Sequence, residues 1–254
     1  MDPSRIKRYP VTIDGETASI GTANELAVAL DVLQGQYDRA VLEQLGPALA
    51  EIVGGPLGFE RLLQSLAPED QLYLVDALGP RLADIIREAR HLRDVFAALA
   101  VVEVELRILD TLGTDGLRAL INTAQELAEV LGWLYGECDR RAIELLGTPY
   151  LTRLIRSGSD VCAVMDALDA EGQLDLLDRL GWAHTSRLLH DGADLAHFMR
   201  ALPAHLSARL LAEMTREQLI TVIGNRQDWQ YLWERLEPDE CRLLAGKMGV
   251  SYAA

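Results

Sequence analysis

The sequence predicts an all-α chain: an α-solenoid of about seven 34-residue repeats of short helices, preceded by a small N-terminal β-hairpin. Three observations predict it. A Leu-Gly pair or its equivalent returns at a fixed interval, as Leu45-Gly46, Leu78-Gly79, Leu112-Gly113, Leu146-Gly147, Leu180-Gly181, Met214-Thr215 and Met248-Gly249. A quartet of apolar residues spaced i, i+3, i+4, i+7 keeps the same beat, from Leu26/Ala29/Leu30/Leu33 through Phe59/Leu62/Leu63/Leu66, Leu92/Val95/Phe96/Leu99, Leu127/Val130/Leu131/Leu134, Val161/Val164/Met165/Leu168 and Leu195/Phe198/Met199/Leu202 to Trp229/Leu232/Trp233/Leu236. Ahead of the repeats, two alternating runs flank Asp14-Gly15, a type I′ turn dipeptide.

In chain order, residues 1–21 are an N-terminal arm and hairpin, with strands Tyr9 to Ile13 and Glu16 to Ile20. An isolated hairpin is marginal, so it either caps the first repeat or recruits a partner strand. Residues 22–254 form a single helical-repeat domain. Each copy opens with an amphipathic helix A carrying the quartet. A polar or Pro-containing link follows, such as Ala67-Pro68-Glu69-Asp70, Pro203-Ala204-His205 or Glu237-Pro238-Asp239. Helix B comes next and ends at the Leu-Gly pair, where glycine takes a left-handed C′ position. A short helix C carries sets such as Leu82/Ile85/Ile86 and Leu151/Leu154/Ile155. Asp160, Asp194 and Asp228 stand just before the helix A stripe as N-caps, and Thr22 to Glu25 and Thr215 to Gln218 read as capping boxes. In copies three and four Ala100-Val101-Val102-Glu103 and Tyr135-Gly136-Glu137 replace the proline link, so helices A and B are expected to fuse there. Helices this short nucleate poorly alone and take their core from neighbours.

The wording of residues 194–214, Asp-Leu-Ala-His-Phe-Met-Arg-Ala-Leu-Pro-Ala-His-Leu-Ser-Ala-Arg-Leu-Leu-Ala-Glu-Met, resembles the short-helix repeats of the cytosolic domain of MgtE magnesium transporters and, more loosely, armadillo-like repeats. The resemblance covers roughly residues 57–249 as apolar pattern and proline link. It implies a right-handed superhelix with a regulatory or scaffolding role, and it carries over no functional residue.

The net charge of −15 disfavours direct binding of nucleic acid or of an anionic membrane, both of which need a basic face. The longest apolar run, Val95 to Val102, is too short to span a bilayer, and no signal peptide is read at the N-terminus. Cys138, Cys162 and Cys241 lack metal or disulfide spacing, which fits a cytoplasmic protein with buried thiols. His190, Asp194 and His197 have ligand spacing for one continuous helix, but Gly192 interrupts it and capping explains Asp194. Phosphate-loop, nucleophile-elbow and HExxH motifs do not occur, so no enzyme, cofactor or metal is expected.

Charge points to binding instead. Between Asp160 and Arg179 stand Asp160, Asp166, Asp169, Glu171, Asp175 and Asp178 against Arg179 alone, and Glu234, Glu237, Asp239 and Glu240 form a second acidic end. Such acids solubilise a surface, dock a basic partner or mimic a phosphate array. Arg118, Arg153 and Arg187 recur in helix C, either pairing with neighbouring acids or binding acidic segments. Trp229 and Trp233 hold stripe positions and belong to the core, whereas Trp182 and Trp133 are candidates for exposed anchors. The expectation is a non-enzymatic adaptor or regulatory protein that binds a protein partner, itself of basic character, through a curved acidic surface. The alternative is an acidic, DNA-mimic-like inhibitor or regulator of a nucleic-acid-binding complex.

Overall fold

A computed structural model describes residues 6–250 and is helical apart from one two-stranded antiparallel hairpin. Its contacts fall into two units, one of Met1–Ile121 with Trp133–Arg141 and one of Asn122–Gly132 with Ala142–Ala254.

The first unit begins with β1 (Tyr9–Ile13) and β2 (Glu16–Ile20), paired Tyr9 to Ile20 through Ile13 to Glu16. Asp14 and Gly15 both take positive φ, +51° and +85°, as a type I′ turn demands. The hairpin is fastened to the first repeat. Thr12 N–H donates to Gln44 Oε1 at 2.9 Å and Gln44 Nε2 donates to Thr12 O at 3.0 Å, while Tyr37 O–H donates to Asp14 Oδ2 at 2.8 Å.

Helix A of the first copy is α1 (Ala23–Leu33), capped by Thr22 Oγ1 accepting from Glu25 N–H, while Glu25 Oε2 accepts from Gly21 N–H. Helix B is α2 (Asp38–Leu45) and helix C is α3 (Leu49–Val53). The second copy is α4 (Pro56–Ser65), α5 (Pro68–Leu78) and α6 (Leu82–Ile85), and the third is α7 (Ala89–Ala97) and α8 (Val102–Leu120). Helix A packs on helix A, with α1 against α4 and α4 against α7, and helix B on helix B, with α2 against α5 and α5 against α8. Phe59, Leu62, Leu63, Leu92, Val95 and Phe96 are buried between them. In copy one only Leu26 and Leu30 of the quartet are fully buried; Ala29 and Leu33 are half-buried.

The expected fusion of helices A and B in copy three does not occur. The chain leaves α7 at Ala97, Val101 is extended at φ −128° and ψ 111°, and Leu99 turns into the core. Helices B and C form the long element instead, α8, broken at Gly113 with φ 60° and ψ −171°. In copy four α9 (Ala124–Leu131) and α10 (Glu137–Leu146) are also separate, because Gly136 at φ +57° ends the link in a conformation no helix contains.

The second unit continues with α11 (Thr148–Leu154), α12 (Gly158–Asp166), α13 (Ala170–Leu180), α14 (Trp182–Leu188), α15 (Gly192–Ala201), α16 (Ala204–Glu213), α17 (Arg216–Val222), α18 (Arg226–Trp233) and α19 (Pro238–Met248). Here α9, α12, α15 and α18 pack in succession, burying Leu127, Val161, Met165, Leu195 and Phe198. The N-caps are Ser157, Asp191 and Asn225, three residues ahead of the expected ones. Asp160, Asp194 and Asp228 sit at the third helical position. Asp160 Oδ2 accepts from Arg156 and Ser157 N–H, and Asp194 Oδ2 accepts from His190 N–H, the reciprocal arm of a capping arrangement.

The glycines after helix B also differ in detail. Gly79 and Gly181 have positive φ, 48° and 81°, but extended ψ of −131° and 129°, so the chain turns straight into helix C; only Gly249, at φ 72° and ψ 29°, is the left-handed cap expected. Thr215 replaces glycine because its φ is −74°, and it closes a capping box with Gln218.

Candidate functional site

The acidic stretch is largely committed to its own unit. Asp169 caps α13, accepting from Gly172 N–H at 2.7 Å, and Asp175 pairs with Arg179 at 2.7 Å. Asp178 Oδ1 accepts from Trp182 Nε1 at 2.9 Å and lies 3.2 Å from Arg209 Nη2. Asp166 Oδ2 is 3.2 Å from His197 Nε2. Glu171 stays exposed in the first turn of α13. Trp182 is not an exposed anchor. It is buried at 6% exposure under the Arg209 guanidinium, 4.7 Å from the ring centroid. Among the candidate tryptophans, Trp133 is the exposed one.

The helix C arginines serve mostly locally. Arg153 lies 4.2 Å over the Tyr150 ring, Arg187 Nε donates to Ala183 O at 3.0 Å, and Arg118 stands half-buried in the last turn of α8. Other ion pairs, missed in the sequence, join B helices within each unit, the first two below in the first unit and the third in the second. Asp76 pairs with Arg107 at 3.0 Å, Asp110 with Arg141 at 2.7 Å, and Asp178 with Arg209 at 3.2 Å. Their signal was present, an Asp followed by an Arg at the same offset in each of the three pairs.

The three thiols are buried. Burial pushes the Cys162 thiol up to about 12 and raises those of Cys138 and Cys241. His197 is turned to Asp166 while Asp194 serves the backbone, and among the described residues no group of three ligand side chains is arranged to hold a metal ion.

The structure brings forward a site the sequence reading did not name. Between the hairpin and α1 lies a largely apolar groove of about 630 Å³, whose lining includes Val11, Ile20, Val28, Ala29, Val32, Tyr37 and Val41. Val28 and Val32 are 49% and 75% exposed, an unusual cost for two branched apolar side chains one turn apart. Asp14, Glu16 and Glu25 stand on its walls. Glu25 is tied to Arg8, but Glu16 has no ion-pair partner among the described residues. The sequence signal was Val28 and Val32 at i and i+4, flanking a quartet that was already complete without them.

A second open face lies on α18. Trp229 and Trp233, expected in the core, are half-buried and meet edge to face at 4.9 Å between ring centroids. With Arg226, Gln230 and Val250 they surround an open cavity of about 580 Å³.

No protein-family model matches the chain, and a search of curated proteins returns no match. The chain is therefore described by class: a predominantly helical protein with an N-terminal β-hairpin. Among its described residues no helix is long and apolar enough to cross a membrane.

Proposed function

We propose that this chain is a non-enzymatic helical-repeat adaptor or regulatory protein, a right-handed α-solenoid of about seven 34-residue repeats related in architecture to the MgtE cytosolic-domain and armadillo-like repeats, working in the cytoplasm on a protein partner. The observation that carries the reading is the groove between the hairpin and α1, where exposed Val28 and Val32 lie among Asp14, Glu16 and Glu25. An apolar floor with carboxylates on its walls fits a partner segment that brings apolar side chains together with Lys or Arg. The apolar contact supplies affinity, and the acids, within a chain of net charge −15, supply steering and orientation. Asp14 and Glu25, like Asp166, Asp169, Asp175 and Asp178, already hold partners in the fold, so what favours the groove over α12 and α13 is its exposed valines together with Glu16, which has no ion-pair partner among the described residues.

Affinity capture from the native host tests this, with the intact chain and a Val28→Asp/Val32→Asp variant as parallel baits. A partner retained by the first, lost by the second and released by salt supports the reading. A partner retained equally by both contradicts it.

A further inference from the structure

We infer that the outer edge of β2 takes up an extended segment of a protein partner as a third, antiparallel strand, with basic and bulky apolar side chains turned into the α1 groove; this rests on the groove being a docking site. The pairing of the hairpin says which backbone groups are open. Thr12 faces Thr17 across the pair, and it turns both its N–H and its carbonyl outward, to Gln44 of α2. Thr12 and Thr17 are therefore a non-hydrogen-bonded pair, and Thr17 N–H and O point away from β1. Two residues on, Ser19 repeats the arrangement opposite Pro10, which has no N–H to give. The outer edge of β1 is thus taken up by α2. On β2, Ser19 O accepts from Arg8 Nη1 at 2.9 Å, while Thr17 N–H, Thr17 O and Ser19 N–H have no partner among the described residues. Glu16 to Ser19 are all exposed, and no Lys, Pro or bulge interrupts the edge.

Val11, Ile13, Glu16, Ala18 and Ile20 share one face of the hairpin and line the groove together with Val28 and Val32. A strand laid beside β2 puts every second side chain on that face, next to Glu16, Ala18 and Ile20 in turn. Beside Ala18 a bulky apolar side chain fits, because alanine leaves the space open and Val28 and Val32 offer exposed apolar surface. Beside Glu16 a Lys or Arg fits. That carboxylate has no ion-pair partner among the described residues, whereas Asp14 and Glu25 hold Tyr37 and Arg8. A second copy of the chain meets neither demand, since its own β2 would bring Glu16 and a net charge of −15 to an edge that is already acidic. The occupant is a segment in which a basic residue and a bulky apolar one stand two positions apart, as strand periodicity requires.

The experiment is fluorescence anisotropy of a labelled peptide, Thr-Lys-Thr-Leu-Thr-Lys-Thr-Leu, titrated with the full chain. In antiparallel register its threonines oppose Thr17 and Ser19 and bond to the edge. N-methylation of the threonine amides is therefore expected to weaken binding by roughly tenfold, about what one hydrogen bond is worth. N-methylation of the Lys and Leu amides, which point away from β2, should leave binding unchanged, and replacing both lysines by Glu should abolish it. Ser19→Pro, which removes an edge N–H without touching the bonds to β1, and Val28→Asp/Val32→Asp should each weaken the unmodified peptide. Circular dichroism checks that both variants are folded, and the methylated peptides test the wild-type chain whatever the variants do. Absence of binding up to the highest soluble concentration, or equal effects of the two methylations, overturns the inference. So does a dimer in sedimentation velocity that Ser19→Pro dissolves, which would put a second copy on this edge. If the peptide fails these tests while Val28→Asp/Val32→Asp still releases the captured partner, strand addition fails and the docking reading stands; if the groove variant holds partner and peptide as the wild type does, both fail.

Discussion

A Cβ built on Gly192 would lie 2.6 Å from Asp228 Cβ and 3.0 Å from Asp228 Cα, closer than real side chains approach. The first residue of α15 thus meets the third residue of α18 with no room for a methyl group. Gly158 stands in the same relation to Asp194, and in the first unit a Cβ on Gly58 would come 2.9 Å from Ala23 Cβ. This tight joint is where a repeat of short helices becomes a shared core, because each A helix gains its packing only by lying close on the next.

Gly192→Ala is therefore expected to destabilise the chain by roughly 1–3 kcal/mol, the usual cost of overpacking. Adding Asp228→Gly should return part of that loss, since it removes the Cβ but not the Cα in the way. Urea unfolding of the four chains of this cycle measures the coupling; additive effects would contradict the contact.

Glu105 is buried at 1% exposure beside Cys138 and Tyr135, and its Oε2 has no hydrogen-bond partner among the described residues. Burial raises its carboxyl above the ordinary 4.5. Between that value and the raised one the native state holds a proton the unfolded chain has released, so this group's contribution to stability falls as pH rises through the window. Glu105→Gln should be more stable than the wild type above the window, with the difference shrinking as pH is lowered toward the ordinary range. Urea midpoints across pH read this, and a difference that does not vary with pH would refute it.

Cys138, Cys162 and Cys241 should resist a thiol reagent at mildly alkaline pH, since burial hides the sulfurs and holds the thiolate out of reach. All should react once the chain is unfolded in denaturant. A fast stoichiometric reaction in the native protein would contradict their placement.

The helix B ion pairs should matter little for stability. Arg107 and Asp76 are each about half exposed at the side chain, so Arg107→Ala is expected to cost less than about 1 kcal/mol and to cost less still at high salt. A larger, salt-insensitive loss would show that the pair is a structural fastening.

Much of this was legible in the sequence because it is local physics. The type I′ dipeptide Asp14-Gly15 fixed the hairpin and its register, and the quartets from Phe59 to Leu202 are buried as their spacing requires. What escaped depended on position within the repeat series. Trp229 and Trp233 occupy core positions of the pattern, but those positions are core only where a following A helix covers them, and no described residues form one beyond α18. Val28 and Val32 were invisible for the mirror reason, lying on the side that earlier neighbours cover elsewhere. Trp182 looked like an anchor because a residue after a glycine turn is ordinarily outside; Arg209 and Asp178, distant in sequence, enclose it. The acids of α12 and α13 formed a single-sign run on paper, but folding supplied Arg209, His197 and backbone N–H groups as counterparts.

Two surfaces compete for the partner, the groove on α1 and the acidic helices α12 and α13, and hydrogen exchange of the chain with and without its captured partner separates them. Slowed exchange concentrated in β2 and α1 is the result this account predicts. Slowed exchange confined to α12 and α13, with α1 unchanged, would contradict it.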